Sequence, residues 1–146
     1  MKTPPGTRAD YFAHASHDTR WKDMDPYGHL NNVAYYELFD TAVNAWLIHA
    51  GLLDHLNGDQ IGVMVESGCR FHAEIRFPDP VTSAFRVAHI GTSSVRYEIA
   101  LFPGDSDIAA AEGFFTHVYV DAATRRPKPL PDSLRNALTA LRPAQM

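Results

Sequence analysis

The sequence predicts an α+β fold in which an antiparallel sheet curls around one long, buried helix. Residues 32–50 repeat apolar side chains at steps of three and four and are apolar most of the way round, which is typical of a buried helix. Four strand patterns separated by short turns follow between residues 61 and 121. An uninterrupted run of strands, with the helices set apart, is typical of an antiparallel sheet.

The remaining elements follow from local patterns along the chain. Residues 11–21 have mixed polarity and predict a first strand, and Asn57-Gly58 marks the turn after the long helix. Leucines and alanines at helical spacing near the end predict a short helix. The expected elements are strands at residues 11–21, 61–77, 81–90, 93–102 and 108–121, and helices at residues 32–50 and 132–142.

Apolar and polar side chains alternate regularly over residues 61–77, which predicts a long strand with one apolar and one polar face. We expect its polar face to carry Glu66, Arg70, His72, Glu74 and Arg76. We expect its apolar face to carry Val63, Val65, Cys69, Phe71, Ala73, Ile75 and Phe77.

Composition limits the class of protein. The chain has 146 residues, of which 45% are hydrophobic, and this suits one domain over residues 1–146 with a loose tail at residues 1–9. A net charge of −4 gives no general attraction to nucleic acid, and the absence of a long apolar run argues against a membrane span. The single cysteine, Cys69, excludes an internal disulfide and favours a reducing cytoplasm.

Reactive side chains concentrate between Asp23 and Tyr36, directly before the long helix. Pro26 disfavours helical backbone at Asp25, and Gly28 permits a tight turn. Asn31 or Asn32 can cap the helix. The pattern therefore predicts a carboxylate near a helix N-terminus, where free N–H groups suit a developing oxyanion.

This segment resembles the signature of hotdog-fold acyl-CoA thioesterases of the 4-hydroxybenzoyl-CoA thioesterase type. The positions that match are Asp23, Asp25, Gly28, His29, Leu30, Asn31 and Tyr35. The resemblance implies hydrolysis of an acyl- or aryl-CoA to the free acid and CoA, as a homodimer or homotetramer. Asp25 would be the nucleophile or general base, and the backbone N–H at or near Asn32 would polarise the thioester carbonyl. His29 would orient substrate or water, and Asp23 would be structural.

No resident cofactor is expected, since CoA is part of the substrate, and the histidines and Cys69 show no metal-ligand spacing. The CoA phosphates need cations, and arginine suits them. The candidates are Arg70, Arg96, Arg125 and Arg126, with Lys128 beside them. The sequence lacks the basic run that the 4-hydroxybenzoyl type carries just before the position of Ser94.

Two alternatives remain open at this level. A hotdog hydratase or dehydratase would carry an Asp and a His five residues apart, whereas Asp25 and His29 are four apart. A non-catalytic acyl-CoA-binding module would not need Asp25. The sequence does not identify the acyl group.

Overall fold

The computed structural model describes residues 3–143, and in it one antiparallel sheet of five strands packs against a long helix, α1. The strand order across the sheet is β1-β3-β4-β5-β2, so β1 and β2 form the two edges. The helices are α1 (Asn32–His49) and α2 (Asp132–Thr139), with 3-10 turns at Arg8–Asp10 and Trp21–Asp23. The strands are β1 (Ala13–His17), β2 (Gln60–Phe71), β3 (Val81–Ile90), β4 (Ser94–Pro103) and β5 (Ala111–Asp121).

The main core lies between α1 and the inner face of the sheet. Phe39, Val43 and Leu47 of α1 are almost fully buried there, and the ring of Trp46 meets Phe85 edge-on at 5.6 Å. Each fully buried side chain of this size contributes about 1.5–3 kcal/mol of transfer free energy. Burial of this helix against the sheet confirms the predicted α+β fold.

A second, smaller core lies on the outer face of the sheet, which is turned away from α1. It consists of Tyr11, Ala84, Ala100, Phe102 and Ala109. The chain before β1 covers it: Thr7 bridges to Ile108, and Arg8 donates to the carbonyl oxygens of Ser106 and Gly104. The expected loose tail at residues 1–9 is therefore anchored at its end nearest β1, and residues 1–2 lie outside the described residues.

Three of the expected strands are shorter than the sequence pattern suggests, and one of them is β5, which begins at Ala111 rather than at residue 108. β1 covers only Ala13–His17, because Trp21 already belongs to a 3-10 turn. β2 ends at Phe71 rather than at residue 77, because the backbone N–H groups of His72 and Ala73 both donate to the carbonyl of Ala110 and the chain turns away.

The prediction that one face of residues 61–77 is uniformly apolar is wrong. β2 has a bulge at Val65, since Met64 pairs with His117 and Glu66 pairs with Thr116. A one-residue insertion exchanges the two faces of a strand.

Val63 therefore shares the outer face with Arg70, whereas Phe71 points inward to Tyr35. Val63, Met64, Val65 and Phe71 are all exposed along this edge.

Residues 3–143 contain no helix that is both long and apolar enough to cross a membrane. Over the same residues, no group of three or more His, Cys, Asp or Glu side chains is arranged to hold a metal ion.

Candidate active site

The loop before α1 is a tight turn fixed at both ends. Met24 bridges to Leu30, and Gly28 adopts a φ of 82°, which a residue with a side chain rarely tolerates. The buried Leu30 also donates its N–H to the carbonyl of Ile75 at 2.7 Å, which ties the loop to the chain that leaves β2. The turn is thus held as part of the scaffold.

Asp25 uses one carboxylate oxygen to hold this turn and leaves the other available. Its Oδ1 accepts the backbone N–H of Tyr27 at 2.9 Å and that of His29 at 3.0 Å. Among residues 3–143, no donor reaches Oδ2. The carboxylate is therefore rigidly oriented, and one oxygen can still attack a carbonyl or accept a proton.

The N-terminus of α1 provides an unused donor. The side chain of Asn31 caps the helix by accepting from Val33 N–H at 3.0 Å, and the carbonyl of Asn31 accepts from Ala34 N–H at 2.9 Å. The N–H of Asn32 meets no acceptor in the part of the chain that is described. Its position at a helix N-terminus gives it the partial positive charge that stabilises an oxyanion.

Asp25 and Asn32 line the same open cleft, whose volume is about 280 Å³. One wall is apolar, since Tyr35 and Phe71 meet edge-on with their ring centroids 4.8 Å apart. The remaining lining residues are His29, Leu30, His72, Ala73 and Glu74. A larger depression of about 710 Å³ lies on the outer face and includes neither Asp25 nor Asn32.

Glu74 is a residue of this cleft that the sequence did not single out. Its Oε2 lies 3.0 Å from Nε2 of His29 and 3.0 Å from Nη2 of Arg76. Because a carboxylate only accepts, it fixes the proton of His29 on Nε2. The spacing of residues 61–77 placed Glu74 on a polar face, but its approach to His29 depends on the turn that follows Phe71.

Asp23 is engaged away from the cleft. Its carboxylate accepts from the guanidinium of Arg20 at 2.8 Å and from the backbone N–H of Arg20 at 2.9 Å. The hydrogen bond from the Arg20 side chain holds the pKa of Asp23 below its usual range. Asp23 thus closes the turn at Trp21–Asp23.

The single cysteine is unsuited to nucleophilic chemistry. Burial raises the pKa of the Cys69 thiol to about 11, so the reactive thiolate is scarce at neutral pH. The side chain packs against the main core, on the inner face of β2.

The four arginines expected to hold CoA fall into two separate groups. Arg70 and Arg96 lie on the outer face of the sheet. Arg125 and Arg126 follow Asp121 in the turn after β5. Phe71 of the cleft pairs with Ala111, at the start of β5, whereas this turn follows the end of β5. The length of β5 therefore separates the turn from the cleft of the same chain by about 30 Å.

A sheet wrapped on a long helix, with an acidic turn at the helix N-terminus, defines a hotdog-type protein with a site suited to acyl transfer. A family model of the thioesterase-like superfamily matches residues 19–138, and the chain belongs to this superfamily. The predicted hotdog fold is thereby confirmed, and thioester hydrolysis is the class of activity that membership supports.

Solved structures agree over almost the whole chain. The PA5185 protein from Pseudomonas aeruginosa strain PAO1 is 45% identical with a TM-score of 0.93, covering 98% of this chain and 100% of that one. The PA2801 protein, a proposed thioesterase from P. aeruginosa, is 30% identical with a TM-score of 0.81, covering 87% and 98%. A thioesterase from Thermus thermophilus, solved with coenzyme A and zinc, is 26% identical with a TM-score of 0.76, covering 92% and 98%. No match was found among curated proteins.

Proposed function

We propose that the protein hydrolyses an acyl- or aryl-CoA thioester to the free acid and CoA in the cleft between Asp25 and the N-terminus of α1. One observation carries this proposal: Asp25 and Asn32 line the same cleft. Within the described residues, Asp25 has one carboxylate oxygen that accepts no hydrogen bond, and the N–H of Asn32 donates none. The coenzyme A bound to the similar Thermus thioesterase supports CoA as the carrier.

The reaction follows from these two groups. The carbonyl oxygen of the thioester accepts from Asn32 N–H, which stabilises the charge that develops on it as the carbon is attacked. Asp25 Oδ2 either attacks the carbonyl carbon itself or removes a proton from an attacking water. If Asp25 attacks, the C–S bond breaks to leave the acyl group on Asp25 as a mixed anhydride, which a water then hydrolyses to the free acid. If Asp25 acts as a base, the C–S bond breaks and the acid is released directly. In both routes CoA leaves as the thiolate, which takes up a proton. His29, held by Glu74, orients the water or the leaving group.

The two routes differ in where oxygen from water first appears. Single turnover in ¹⁸O-labelled water would place label in the Asp25 carboxylate only if Asp25 is the nucleophile. The general-base route would place label only in the released acid. Neither route requires a resident metal or redox cofactor.

We also propose a homodimer formed through the exposed edge of β2. An exposed strand of this length that carries apolar side chains is normally covered by another strand or chain. Antiparallel pairing of two β2 strands would bring the Gln60 end of one copy beside the Phe71 end of the other. Arg125 and Arg126 of the partner subunit would then approach this chain's cleft, although the same residues of this chain do not.

The direct test is release of free thiol from a panel of aliphatic and aromatic acyl-CoAs. We expect hydrolysis of at least one class, and its loss in the Asp25→Asn variant. Binding of acyl-CoAs without hydrolysis of any would contradict the proposal and favour a binding module.

A further inference from the structure

The depression on the outer face of the sheet carries arginine side chains that the proposed hydrolysis does not use. Arg70 on β2, Arg86 on β3 and Arg96 on β4 all line it, and its volume of about 710 Å³ is in the range of small-molecule sites. The N-terminal segment from Thr3 to Tyr11 forms one side of it.

The acidic residues of the depression are already satisfied by other partners. Glu98 pairs with Arg86 at 2.9 Å, and Asp10 accepts from the backbone of Thr7 at 2.8 Å. Glu112 accepts from the hydroxyl of Tyr11, the N–H of Gly6 and the Nε2 of His72.

Arg70 and Arg96 are the cations left over. Within residues 3–143 neither guanidinium forms an ion pair or a hydrogen bond. The three arginines of the depression are matched in number by Asp10, Glu98 and Glu112. What distinguishes Arg70 and Arg96 is therefore their unused N–H groups, which a bound anion would accept from.

Arg96 also has a defined orientation. Its guanidinium carbon lies 3.8 Å from the centre of the Phe114 ring, so one face of the planar group is stacked. The ring occupies the space above Gly68, where an added Cβ would lie 2.7 Å from Cε1 of Phe114. Gly68, Phe114 and Arg96 therefore form a layered platform, and we call it the arginine platform.

A guanidinium stacked on an aromatic ring can receive a second flat ring on its other face, as arginine does with nucleic-acid bases. Arg70, on the same face of the edge strand β2, which is separated from β4 by β5, can bind a phosphate through paired N–H groups. We propose that the arginine platform and Arg70 form a nucleotide-binding site, in which the base stacks on Arg96 and a phosphate binds Arg70.

Two sources supply this chemistry. The nucleotide end of CoA could reach the site past the Phe71 end of β2, because Arg70 directly precedes Phe71 of the cleft. A free nucleotide could occupy it independently of substrate.

Binding can be measured without turnover, so the test is separate from that of hydrolysis. Isothermal titration calorimetry would measure the Kd of four ligands: adenosine 3′,5′-bisphosphate, ADP, adenosine and inorganic phosphate. Each would be titrated into the wild type and into the variants Arg96→Gln, Arg70→Gln and Gly68→Ala. Arg142→Gln serves as the control, because Arg142 lies beyond α2, away from this face. Melting temperatures would show that each variant folds.

We expect both nucleotides to bind the wild type and the control alike, and to bind each of the other variants about tenfold more weakly. Adenosine and phosphate alone should bind more weakly than either nucleotide. If the bisphosphate competes with acyl-CoA and Arg96→Gln raises KM for CoA esters only, the occupant is the substrate's own nucleotide. If it binds without competing, the occupant is a free nucleotide.

The absence of saturable nucleotide binding up to about 1 mM would overturn the proposal, since a Kd above about 1 mM is too weak for a built site. Binding that the Arg96, Arg70 and Gly68 variants leave unchanged would also overturn it. Nucleotide binding in a protein that hydrolyses no acyl-CoA would contradict the proposed function and leave this inference standing.

Discussion

Asp25 and His29 are joined by a reciprocal pair of hydrogen bonds: Asp25 N–H donates to the His29 carbonyl at 2.7 Å, and His29 N–H donates to the side-chain Oδ1 of Asp25 at 3.0 Å. The pair closes the turn across Pro26, Tyr27 and Gly28. It fixes the direction of the carboxylate without using its second oxygen. Preorganisation of this kind lowers the reorganisation needed when charge develops during a reaction.

The first prediction separates the two aspartates of the motif. Asp23→Asn should lower stability by about 1 kcal/mol, or about 2–4 °C in Tm, because it weakens the hydrogen bonds to Arg20. It should keep most of the activity, since Asp23 does not line the cleft. Asp18→Asn, at an exposed position nearby, is the matched control and should change neither. A loss of kcat beyond about tenfold with unchanged Tm would place Asp23 in the chemistry instead.

The second prediction concerns Glu74 as a positioning residue. If Glu74 acts by holding His29, then Glu74→Ala and His29→Ala should lower kcat by similar factors, and the double variant should lose little more. Glu74→Gln should restore part of the activity, because its amide oxygen can still accept from His29 Nε2. Arg76→Ala is the control, since Arg76 touches Glu74 but does not line the cleft. Fully additive losses would show that Glu74 and His29 act separately.

The third prediction is a pH dependence of stability that originates at His117. Burial lowers the pKa of His117 to about 4, and its Nδ1 has no hydrogen-bond partner in residues 3–143. The unfolded chain takes up a proton near pH 6.5 and the folded chain only near pH 4. The contribution of neutral His117 to the free energy of unfolding is therefore fully present above about pH 6.5. It is lost as the pH falls towards 4, and the loss amounts to up to about 3 kcal/mol.

The test is the free energy of unfolding from pH 7.5 to 4.5 for the wild type and His117→Phe. Phenylalanine suits the surroundings, because the rings of Tyr97, Phe115 and Tyr119 all contact His117. The charge of Asp40 on α1 partly opposes the lowering of the His117 pKa. The variant should lose less stability on acidification, and His55→Gln, in the exposed turn after α1, should match the wild type. Parallel curves for the wild type and His117→Phe would refute this assignment.

The fourth prediction is that no stable monomer exists at micromolar concentration. Light scattering should give the mass of a dimer or a multiple of it. Val65→Lys, which places a charge at the exposed bulge of β2, should shift the mass towards the monomer and lower activity. A monomeric and fully active wild type would remove the basis for a shared site.

Periodicity predicted the elements that depend on local sequence. α1 and β3 begin and end within a residue of their expected bounds, because helical spacing and flanking prolines act locally. The bulge at Val65 was missed, since it is defined by pairing with β5. The contact between Glu74 and His29 was missed because it depends on the turn after Phe71 and on the docking of Leu30 against Ile75.

The arginines show the same limit for the candidate site. Composition indicated that anions would need local cations, but the sequence could not assign Arg70 and Arg96 to the outer face and Arg125 to the far end of β5. Those positions follow from strand pairing over long sequence separations.

If Asp25 is the nucleophile or general base, Asp25→Asn should abolish most of the turnover of an active acyl-CoA while the fold is kept, and kcat and Tm of this variant measure both. Asparagine is nearly isosteric, and its Oδ1 can still accept from Tyr27 and His29, so Tm should stay close to that of the wild type. The amide is a poor nucleophile and a poor base, so kcat should fall by about 10²–10⁴. Retention of more than about a tenth of the wild-type kcat by a folded Asp25→Asn variant would show that Asp25 is not the catalytic carboxylate.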